Sequence, residues 1–545
     1  MKFLKAVDQS AVGKLHETAD EWFERTCILF PEYASRLGLK KFEPLLGANT
    51  AAVHREHVTL TLKTLKAVEA LPEAAFHGDE WLDRRAFLAR LRTDLLFNRD
   101  LPRWRTNPQI HCDAAIDSIF DLVVRSTANP ARALPAIEAR LAKIPDYLAA
   151  GADCIQAPVP LWVTLAERAC AGSIEFLDAL KTEFAGISPH PNRTSRLLAS
   201  ASRAFAEYAA AIRRRRPGAA GGFSIGRGHF EFLIRERLGL DITLPEARAT
   251  GEHLVARHDY LLQSAAARIG KKSARTLIEE AASQWQPRGS LLAAYRDATA
   301  RLRKNLLAGD LVTIPKGEKL SVLPVPPFLR HQFPTAAYSA PPPFSENQTG
   351  IFWVNDLSLA QTEPDRKISE IRQHFGLELT SVHEGYPGHH LQFVVQFRHP
   401  SRLRRLFEHS IFYEGWTMWC EKLAVEKNLV DFPHAALIQT HDALWRAHRI
   451  VIDCGLHDGS LTPAAAARRL ETGVHFTPAR AAGDVNWYTS SPTVPMSYLL
   501  GRIELEKLHR RLVHGEGWTL RRFNDWVLSH GALPWSWIWQ ARLNT

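Results

Sequence analysis

The chain has 545 residues, of which 46% are hydrophobic and 23% charged, with 15 Trp and 26 Phe. This composition is that of a globular protein with a large core, and it excludes a disordered chain. The formal net charge is +10, but Lys and Arg are interspersed with Asp and Glu along helix-like segments, and no nucleic-acid-binding motif is present. We therefore expect no nucleic-acid partner, while an anionic substrate fits the charge equally well.

Cysteine usage and the apolar segments bear on the compartment. Six cysteines are scattered without a C-x-x-C pair, which is typical of free thiols. The opening stretch MKFLKAVDQSAVGKLHE lacks the apolar region of a signal peptide. No apolar run approaches the length of about 18 residues that a membrane helix requires. These features predict a cytoplasmic protein without a membrane partner.

The first part of the chain is predicted to be helical. Up to about Ile212 it is rich in Ala, Leu, Arg and Glu, with apolar residues at three-to-four spacing and Pro-containing breaks between stretches. The segment RRRRPGAAGG, Arg213 to Gly222, joins a charge run to Pro and small residues and is the best linker candidate. We expect an N-terminal helical lobe over residues 1–216 and a second lobe over residues 223–545, the two packed as one unit.

Beyond the linker, helix-like stretches extend to Leu307, and the composition then changes. The segment from Leu311 to Gly350 is rich in Pro and β-branched residues and leads into the apolar run Ile351 to Val354. This pattern predicts a small β-sheet. Helices are expected to resume at about Asp365 and to dominate to the end. The predicted fold class is therefore mainly α with a small β-sheet.

The segment HEGYPGHH, His383 to His390, carries the strongest chemical signal in the sequence. A hydrolytic zinc ion needs three protein ligands and a nearby carboxylate that accepts a proton from water. Adjacent helical residues diverge by about 100°, so His383 is the predicted first ligand and Glu384 the predicted general base. Histidines at a helix kink are often only hydrogen-bonded, but this clustering favours a metal site.

Pro387 stands where the H-E-x-x-H pattern has its second ligand. In a straight helix His389 would lie about 9 Å along the axis from His383, too far for bonds of about 2 Å to one ion. Pro387 removes a backbone donor and clashes with a carbonyl one turn earlier, and Gly388 permits unusual dihedral angles, so the helix should bulge there. His389 is the predicted second ligand, with His390 in reserve.

Two carboxylates, Glu414 and Glu421, occur seven residues apart in the apolar helix-like segment HSIFYEGWTMWCEKLAVE, hence on one face. Carboxylates in such a segment are costly without a cationic partner. Glu414 is the predicted third ligand of one Zn²⁺ ion, and Glu421 is placed to orient a ligating histidine through its second ring nitrogen. A buried salt bridge, for instance from Glu421 to Lys422, is the alternative.

At these motifs the chain resembles the bacterial domain of unknown function 885, a distant relative of the gluzincin metallopeptidases. The resemblance covers most of the chain from Gly226 onward, since the family's motifs occur in order as Ala337-Tyr338, GIFWVN, HEGYPGHHLQ, EGWTMWCE, RIVIDCGLH and SYLLG. It implies a two-lobed, metallopeptidase-like helical architecture with the small sheet beside a deep cleft. It also implies that Glu414 is the third ligand and Glu384 the general base.

The chain departs from the family pattern at one place. An Arg-Tyr pair usually precedes a Pro-Gly-Gln stretch, whereas this chain has Trp487-Tyr488 and then Pro492-Thr493-Val494. An arginine there would be suited to binding a carboxylate. Its loss predicts an altered substrate side and argues against substrates with a free C-terminal carboxylate, or against ordinary peptides altogether.

The predicted function is hydrolysis of an amide or peptide bond by metal-activated water, in a peptide or small amide-containing substrate. Tyr488 and Tyr498 are the predicted oxyanion donors, with His457 third, although each could be a packing residue. GIFWVN is expected to be either an exposed strand beside the cleft that pairs with the substrate main chain or a simple packing strand. The alternatives are a tailoring enzyme (amidase, hydratase or lyase) for a small non-peptide molecule, a non-catalytic helical binding protein, and a cysteine hydrolase that uses Cys454 and His457.

Overall fold

The computed structural model describes residues 10–126, 129–325, 335–356, 371–432 and 434–544. Within them the chain is mainly α-helical with one three-stranded mixed sheet, so the predicted fold class is confirmed at this level. The chain divides into two compact units. The first comprises Met1–Phe223 and Pro342–Ser345, and the second comprises Ser224–Pro341 and Glu346–Thr545.

The described part of the first unit contains helices and no strand. Its α-helices are α1 Ala11–Leu29, α2 Pro31–Arg36, α3 Ala51–Glu69, α4 Gly78–Leu95, α5 Arg103–Thr106, α6 Gln109–Arg125, α7 Pro130–Leu141, α8 Ile144–Cys154, α9 Pro160–Ala185 and α10 Pro191–Arg213. Apolar residues at helical spacing explain the packing: α10 buries Leu198, Phe205 and Ile212 along one face. The hydroxyl of Ser10 accepts a hydrogen bond from the amide of Gly13 and caps α1.

The second unit holds the remaining elements. Its α-helices are α11 Gly226–Leu238, α12 Leu244–Ile269, α13 Ala274–Gln284, α14 Leu291–Ala308, α15 Leu377–Glu384, α16 His389–Gln396, α17 Arg402–Leu406, α18 Ser410–Glu426, α19 Ala435–Asp458, α20 Pro463–Gly473, α21 Pro478–Ser490, α22 Val494–His509, α23 Leu520–Ser529 and α24 Trp535–Leu543. The helix expected from about Asp365 begins outside the described residues. Across the described ranges, no helix combines the length and the apolar character needed to cross a membrane.

The small sheet has the order β1-β3-β2. Its strands are β1 Lys319–Pro324, β2 Ala336–Ser339 and β3 Thr349–Val354. β1 runs parallel to β3, with Lys319 opposite Thr349, and β2 runs antiparallel to it, with Ala336 opposite Val354. GIFWVN forms β3, which has a hydrogen-bonded neighbour on each side. This agrees with a packing strand and contradicts an exposed strand that pairs with a substrate.

The sheet packs against α14 and α15 and so positions the end of α15. Tyr295, Val322, Phe352 and Leu377 are buried together between these elements. The hydroxyl of Tyr295 is 3.0 Å from Nδ1 of His374, just before α15. This contact satisfies polar groups that burial would otherwise leave unpaired.

Helices α18 and α22 cross in close contact at two glycines. A Cβ atom at Gly501 would lie 2.2 Å from the carbonyl oxygen of Ile411, and one at Gly415 would lie 2.7 Å from Cα of Gly501. No side chain fits between the two backbones there. The crossing thereby brings the residues beside these glycines, Glu414 on α18 and Tyr498 on α22, next to each other.

Candidate metal centre

The helix that carries the HEGYPGHH segment is interrupted at its Pro-Gly pair. α15 ends at Glu384 and a new helix, α16, begins at His389. The indole N–H of Trp416, on α18, donates a hydrogen bond of 2.8 Å to the carbonyl of Pro387 and holds the break in place. The distortion expected from Pro387 is therefore present, and it carries His389 back toward the end of α15.

Gly388 is required by a close approach of backbone to backbone. Its amide donates a hydrogen bond of 3.0 Å to the carbonyl of Val382. A Cβ atom at Gly388 would lie 1.9 Å from the carbonyl oxygen of His383. Its φ is −70°, so the reason for glycine is lack of space and not the left-handed region.

Three predicted ligands come together at this break. Nε2 of His383 lies 3.6 Å from Oε2 of Glu414, and Nε2 of His389 lies 3.7 Å from the same oxygen. All three ligand atoms lie within 4.8 Å of one another. Ligands at about 2 Å from a tetrahedral ion are separated by about 3.3 Å, so the group fits a single metal ion.

The burial and charge of these residues also fit a cation. Among the described residues, Oε2 of Glu414 has no hydrogen-bond partner although it is buried. The carboxylates of Glu384 and Glu421 lie close enough to interact with one of these ligands, His383. Buried carboxylates without a counter-charge are costly, and a bound cation offsets this cost. The nitrogen and oxygen donors suit Zn²⁺ and other transition metals without selecting one of them.

Glu421 holds the ring of His383. Its Oε1 accepts a hydrogen bond of 2.7 Å from Nδ1 of His383, which leaves Nε2 to face Glu414. Burial would lower the pKa of His383, but Glu414 and Glu421 raise that pKa to about 10. A carboxylate behind a ligating histidine fixes its tautomer and orientation, and Glu421 occupies that position here.

Glu384 lies beside the ligand group at the end of α15. Its Oε2 accepts a hydrogen bond of 3.2 Å from the backbone amide of Tyr338 in β2. Burial raises the pKa of Glu384 to about 7, with His383 opposing and Glu414 adding to the shift. A carboxyl group whose pKa is near neutrality suits both acceptance and return of a proton.

His390, the reserve ligand, points elsewhere. Its Nε2 is 2.8 Å from Oε2 of Glu318, and its Nδ1 is 3.2 Å from the hydroxyl of Tyr338. Glu318 also accepts hydrogen bonds from Tyr386 and Arg303. The structure thus brings His389, and not His390, into the ligand group. Glu318 had no signal in the sequence, since it lies far upstream in a segment without a recognisable motif.

The three predicted oxyanion donors, Tyr488, Tyr498 and His457, lie in different surroundings. Tyr498 lies beside Glu414, whose pKa burial would raise but His383, His389 and Tyr498 lower. The hydroxyl of Tyr488 instead donates to Asp484 at 2.7 Å and accepts from Arg449 at 2.8 Å.

His457 and Cys454 lie in the interior on α19. His457 is fully buried, with Nε2 3.1 Å from the backbone carbonyl oxygen of Tyr488. Cys454 is also fully buried, and burial raises the pKa of its thiol. A thiol in such surroundings is not a thiolate at neutral pH, which disfavours a cysteine hydrolase built on this pair.

Two solved structures share the fold. One, from Shewanella oneidensis, is described as a "putative lipoprotein of unknown function"; it has a TM-score of 0.76 and 19% identity, over 97% of this chain and 99% of that chain. The other, from Colwellia psychrerythraea, is described as a "putative lipoprotein"; it has a TM-score of 0.77 and 17% identity, over 98% of each chain. No curated protein matches the chain.

The predicted cytoplasmic location is contradicted, because both similar structures are described as a "putative lipoprotein". The prediction relied on apolar patterns, which detect membrane-spanning helices. They do not detect other modes of membrane attachment, such as a lipid anchor. A family model described as a bacterial protein of unknown function (DUF885) matches residues 31–541. The match spans nearly the whole chain, and the chain therefore belongs to the DUF885 family.

Proposed function

We propose that the protein is a zinc-dependent hydrolase that cleaves an amide or peptide bond. One observation carries the proposal: two imidazoles and a buried carboxylate, from His383, His389 and Glu414, converge on one point. Glu384 lies beside that point as a candidate base. The ligand side chains are 10–13% exposed, so water can reach them.

Each residue around the centre has a chemical task in this proposal. When bound, a zinc ion supplies Lewis acidity, which favours ionisation of water and polarises a carbonyl group. Glu384 accepts the proton of the attacking water and returns it to the leaving amine. Tyr498 donates a hydrogen bond to the developing oxyanion. Tyr488 is not given this task, because its hydroxyl contacts Asp484 and Arg449, whereas Tyr498 lies beside the ligand Glu414.

The relation to gluzincin metallopeptidases belongs to the same proposal, as do the two-lobed metallopeptidase-like architecture and the deep cleft. Its support is the order of the parts: a His-Glu pair ends one helix, a second histidine starts the next, and a glutamate on the longer helix α18 completes the set. Two histidines and one glutamate are a ligand set that occurs in catalytic zinc sites.

Metal analysis of the purified full-length protein tests the ligand set. We expect one zinc ion per chain, lost in His383→Ala, His389→Ala and Glu414→Ala. His390→Ala is the matched control and should keep the ion, because His390 hydrogen-bonds Glu318. Circular dichroism verifies folding of each variant. Undiminished metal in all three ligand variants would overturn the proposal.

A second experiment separates catalysis from binding. Glu384→Gln should retain zinc yet hydrolyse peptides or acyl amides about 10²- to 10⁴-fold more slowly, because the amide cannot accept the proton. Glu426→Gln on α18, an exposed carboxylate paired with Lys422, is the control. Unchanged activity in Glu384→Gln would indicate that Glu384 is not the general base. Zinc-loaded protein that cleaves neither peptides nor acyl amides would indicate a tailoring enzyme or a binding protein.

We also propose a location at the cell envelope, by likeness to the two structures described as putative lipoproteins. Fractionation of cells that produce the natural protein tests it. Recovery with the membranes supports the proposal, and recovery in the cytoplasmic fraction contradicts it.

A further inference from the structure

Arg449, on α19, is a buried cation, and one of its hydrogen-bond donors has no partner among the described residues. It is only 5% exposed. Its Nε donates a hydrogen bond of 2.8 Å to the hydroxyl of Tyr488, and one terminal nitrogen, Nη2, lies 3.6 Å from Oδ2 of Asp484. The other, Nη1, is buried without a hydrogen-bond partner in the described part of the chain. Such a donor is costly to leave unpaired, and guanidinium donors match carboxylates best.

Asp484 does not fill this position because its own carboxylate is already shared. Its Oδ2 accepts hydrogen bonds from the hydroxyl of Tyr488 at 2.7 Å and from the indole of Trp445 at 3.1 Å. These partners hold the carboxylate on the Nη2 side of Arg449. The Nη1 side is left for a group that the protein itself does not provide.

Aromatic rings fix the plane of the guanidinium group. Its central carbon lies 4.1 Å from the ring centre of Trp445, 4.6 Å from that of Tyr498 and 5.4 Å from that of Trp487. Stacking of this kind holds an arginine flat and leaves only its edge for hydrogen bonding. All three rings are half-buried, so the cluster reaches the surface and a ligand has access.

The charge around Arg449 favours an anion. Arg446 pairs with Asp442, Arg449 pairs with Asp484, and Arg480 interacts with both acids. Three guanidinium groups therefore face two carboxylates. His441 lies beside Asp442, with Nδ1 3.7 Å from its carboxylate, and adds no negative charge. Nε of Arg446 is also buried without a hydrogen-bond partner among described residues. The cluster therefore has an excess of positive charge that a single carboxylate would neutralise.

Tyr498 links this cluster to the metal centre. Its hydroxyl end interacts with Glu414, and its ring face packs on Arg449. A group bound to Arg449 is thus one tyrosine ring away from the metal ligands. This proximity fits a carboxylate that is close in the substrate to the bond that is cleaved.

From these contacts we infer that Arg449 binds a carboxylate of the substrate, so that the substrate is a peptide C-terminus or an N-acyl amino acid. This inference rests on the proposed hydrolase function and adds its substrate class. It also revises the expectation drawn from Trp487, because Arg449 on α19 provides a guanidinium group beside the Trp487 ring.

Binding of a matched pair of probes tests the inference without turnover. The probes are N-acetyl-L-phenylalanine and its amide, titrated calorimetrically into full-length protein carrying Glu384→Gln. We expect the acid to bind about tenfold or more tightly than the amide, the effect of one charge-assisted hydrogen bond. Adding Arg449→Met should remove this preference. Arg469→Met is the control, since Arg469 pairs with Glu252 and His448.

Equal binding of acid and amide, or a preference that survives Arg449→Met, would overturn the inference. If the Met variant does not fold, Arg449→Lys replaces it, because lysine keeps the charge but loses the planar guanidinium group. A weaker preference for the acid in this variant supports carboxylate binding by Arg449. An unchanged preference contradicts it. Metal content of the same samples separates the two proposals. If protein without metal still prefers the acid over the amide, and this preference depends on Arg449, the zinc-hydrolase proposal is rejected while carboxylate binding by Arg449 is retained.

Discussion

At the scale of single residues, one hydrogen bond determines which ring nitrogen of His383 faces the other ligands. Glu421 holds Nδ1 at 2.7 Å, and Nε2 is left 3.6 Å from Glu414. Without this partner the ring could rotate or take the other tautomer. The free energy of metal binding therefore depends on a residue that touches no metal.

Glu421→Ala should weaken zinc binding about 10- to 100-fold, because His383 would no longer be held in the binding orientation. Glu421→Gln should have a smaller effect, since its amide oxygen can still accept the hydrogen bond. Competition with a fluorescent zinc chelator measures both affinities. Glu426→Ala, an exposed glutamate on the same helix, should bind zinc as the wild type does. Equal affinity in all four proteins would show that Glu421 does not orient the ligand.

The residues of the centre differ in how far sequence could reveal them. His383 and His389 are close in the chain, and helix geometry with the Pro-Gly pair was enough to bring them together. Glu318 and Arg449 were missed, because their roles arise from contacts with residues distant in sequence. Arg449 lay within a recognised family motif, yet only its unpaired Nη1 beside Tyr498 marks it as a binding group.

At the scale of elements, the centre depends on how α18 and α22 cross. Gly415 and Gly501 let the two backbones touch, and this contact sets the distance between Glu414 and Tyr498. Hydrophobic periodicity predicted the helices but not their crossing, which is a property of facing surfaces. The same limit applies to β3: a short apolar run predicts a strand without saying whether it lies at the centre or the edge of its sheet.

Gly501→Ala should destabilise the protein by about 1–3 kcal/mol, because its methyl group would collide with the backbone of α18 and push the helices apart. Gly483→Ala on α21 is the matched control. A Cβ atom there meets nothing within 4 Å, and alanine favours a helix by about 1 kcal/mol over glycine. Urea unfolding measures both changes. Equal stability of the two variants would mean that α18 and α22 can separate without cost.

At the scale of the whole molecule, the ligands and their supporting residues all belong to one of the two compact units. His383, His389, Glu414 and Glu421 lie within Glu346–Thr545, and Arg449 and Tyr498 do as well. A metal ion bound at these residues would therefore stabilise the second unit. A ligand that binds only the folded state stabilises that state by about 4 kcal/mol at a thousandfold excess over its dissociation constant.

Removal of the metal should consequently loosen the second unit first. Chelation leaves the buried Glu384, Glu414 and Glu421 with the protonated ring of His383 as their counter-charge in place of a divalent cation, so local opening of α15, α16 and α18 becomes easier. Hydrogen exchange measured by mass spectrometry should show faster exchange in peptides from these helices and unchanged exchange in α9 and α10 of the first unit. His383→Ala, which lacks a ligand, should not respond to the chelator. Identical exchange with and without metal in the wild type would show that metal binding does not stabilise these helices.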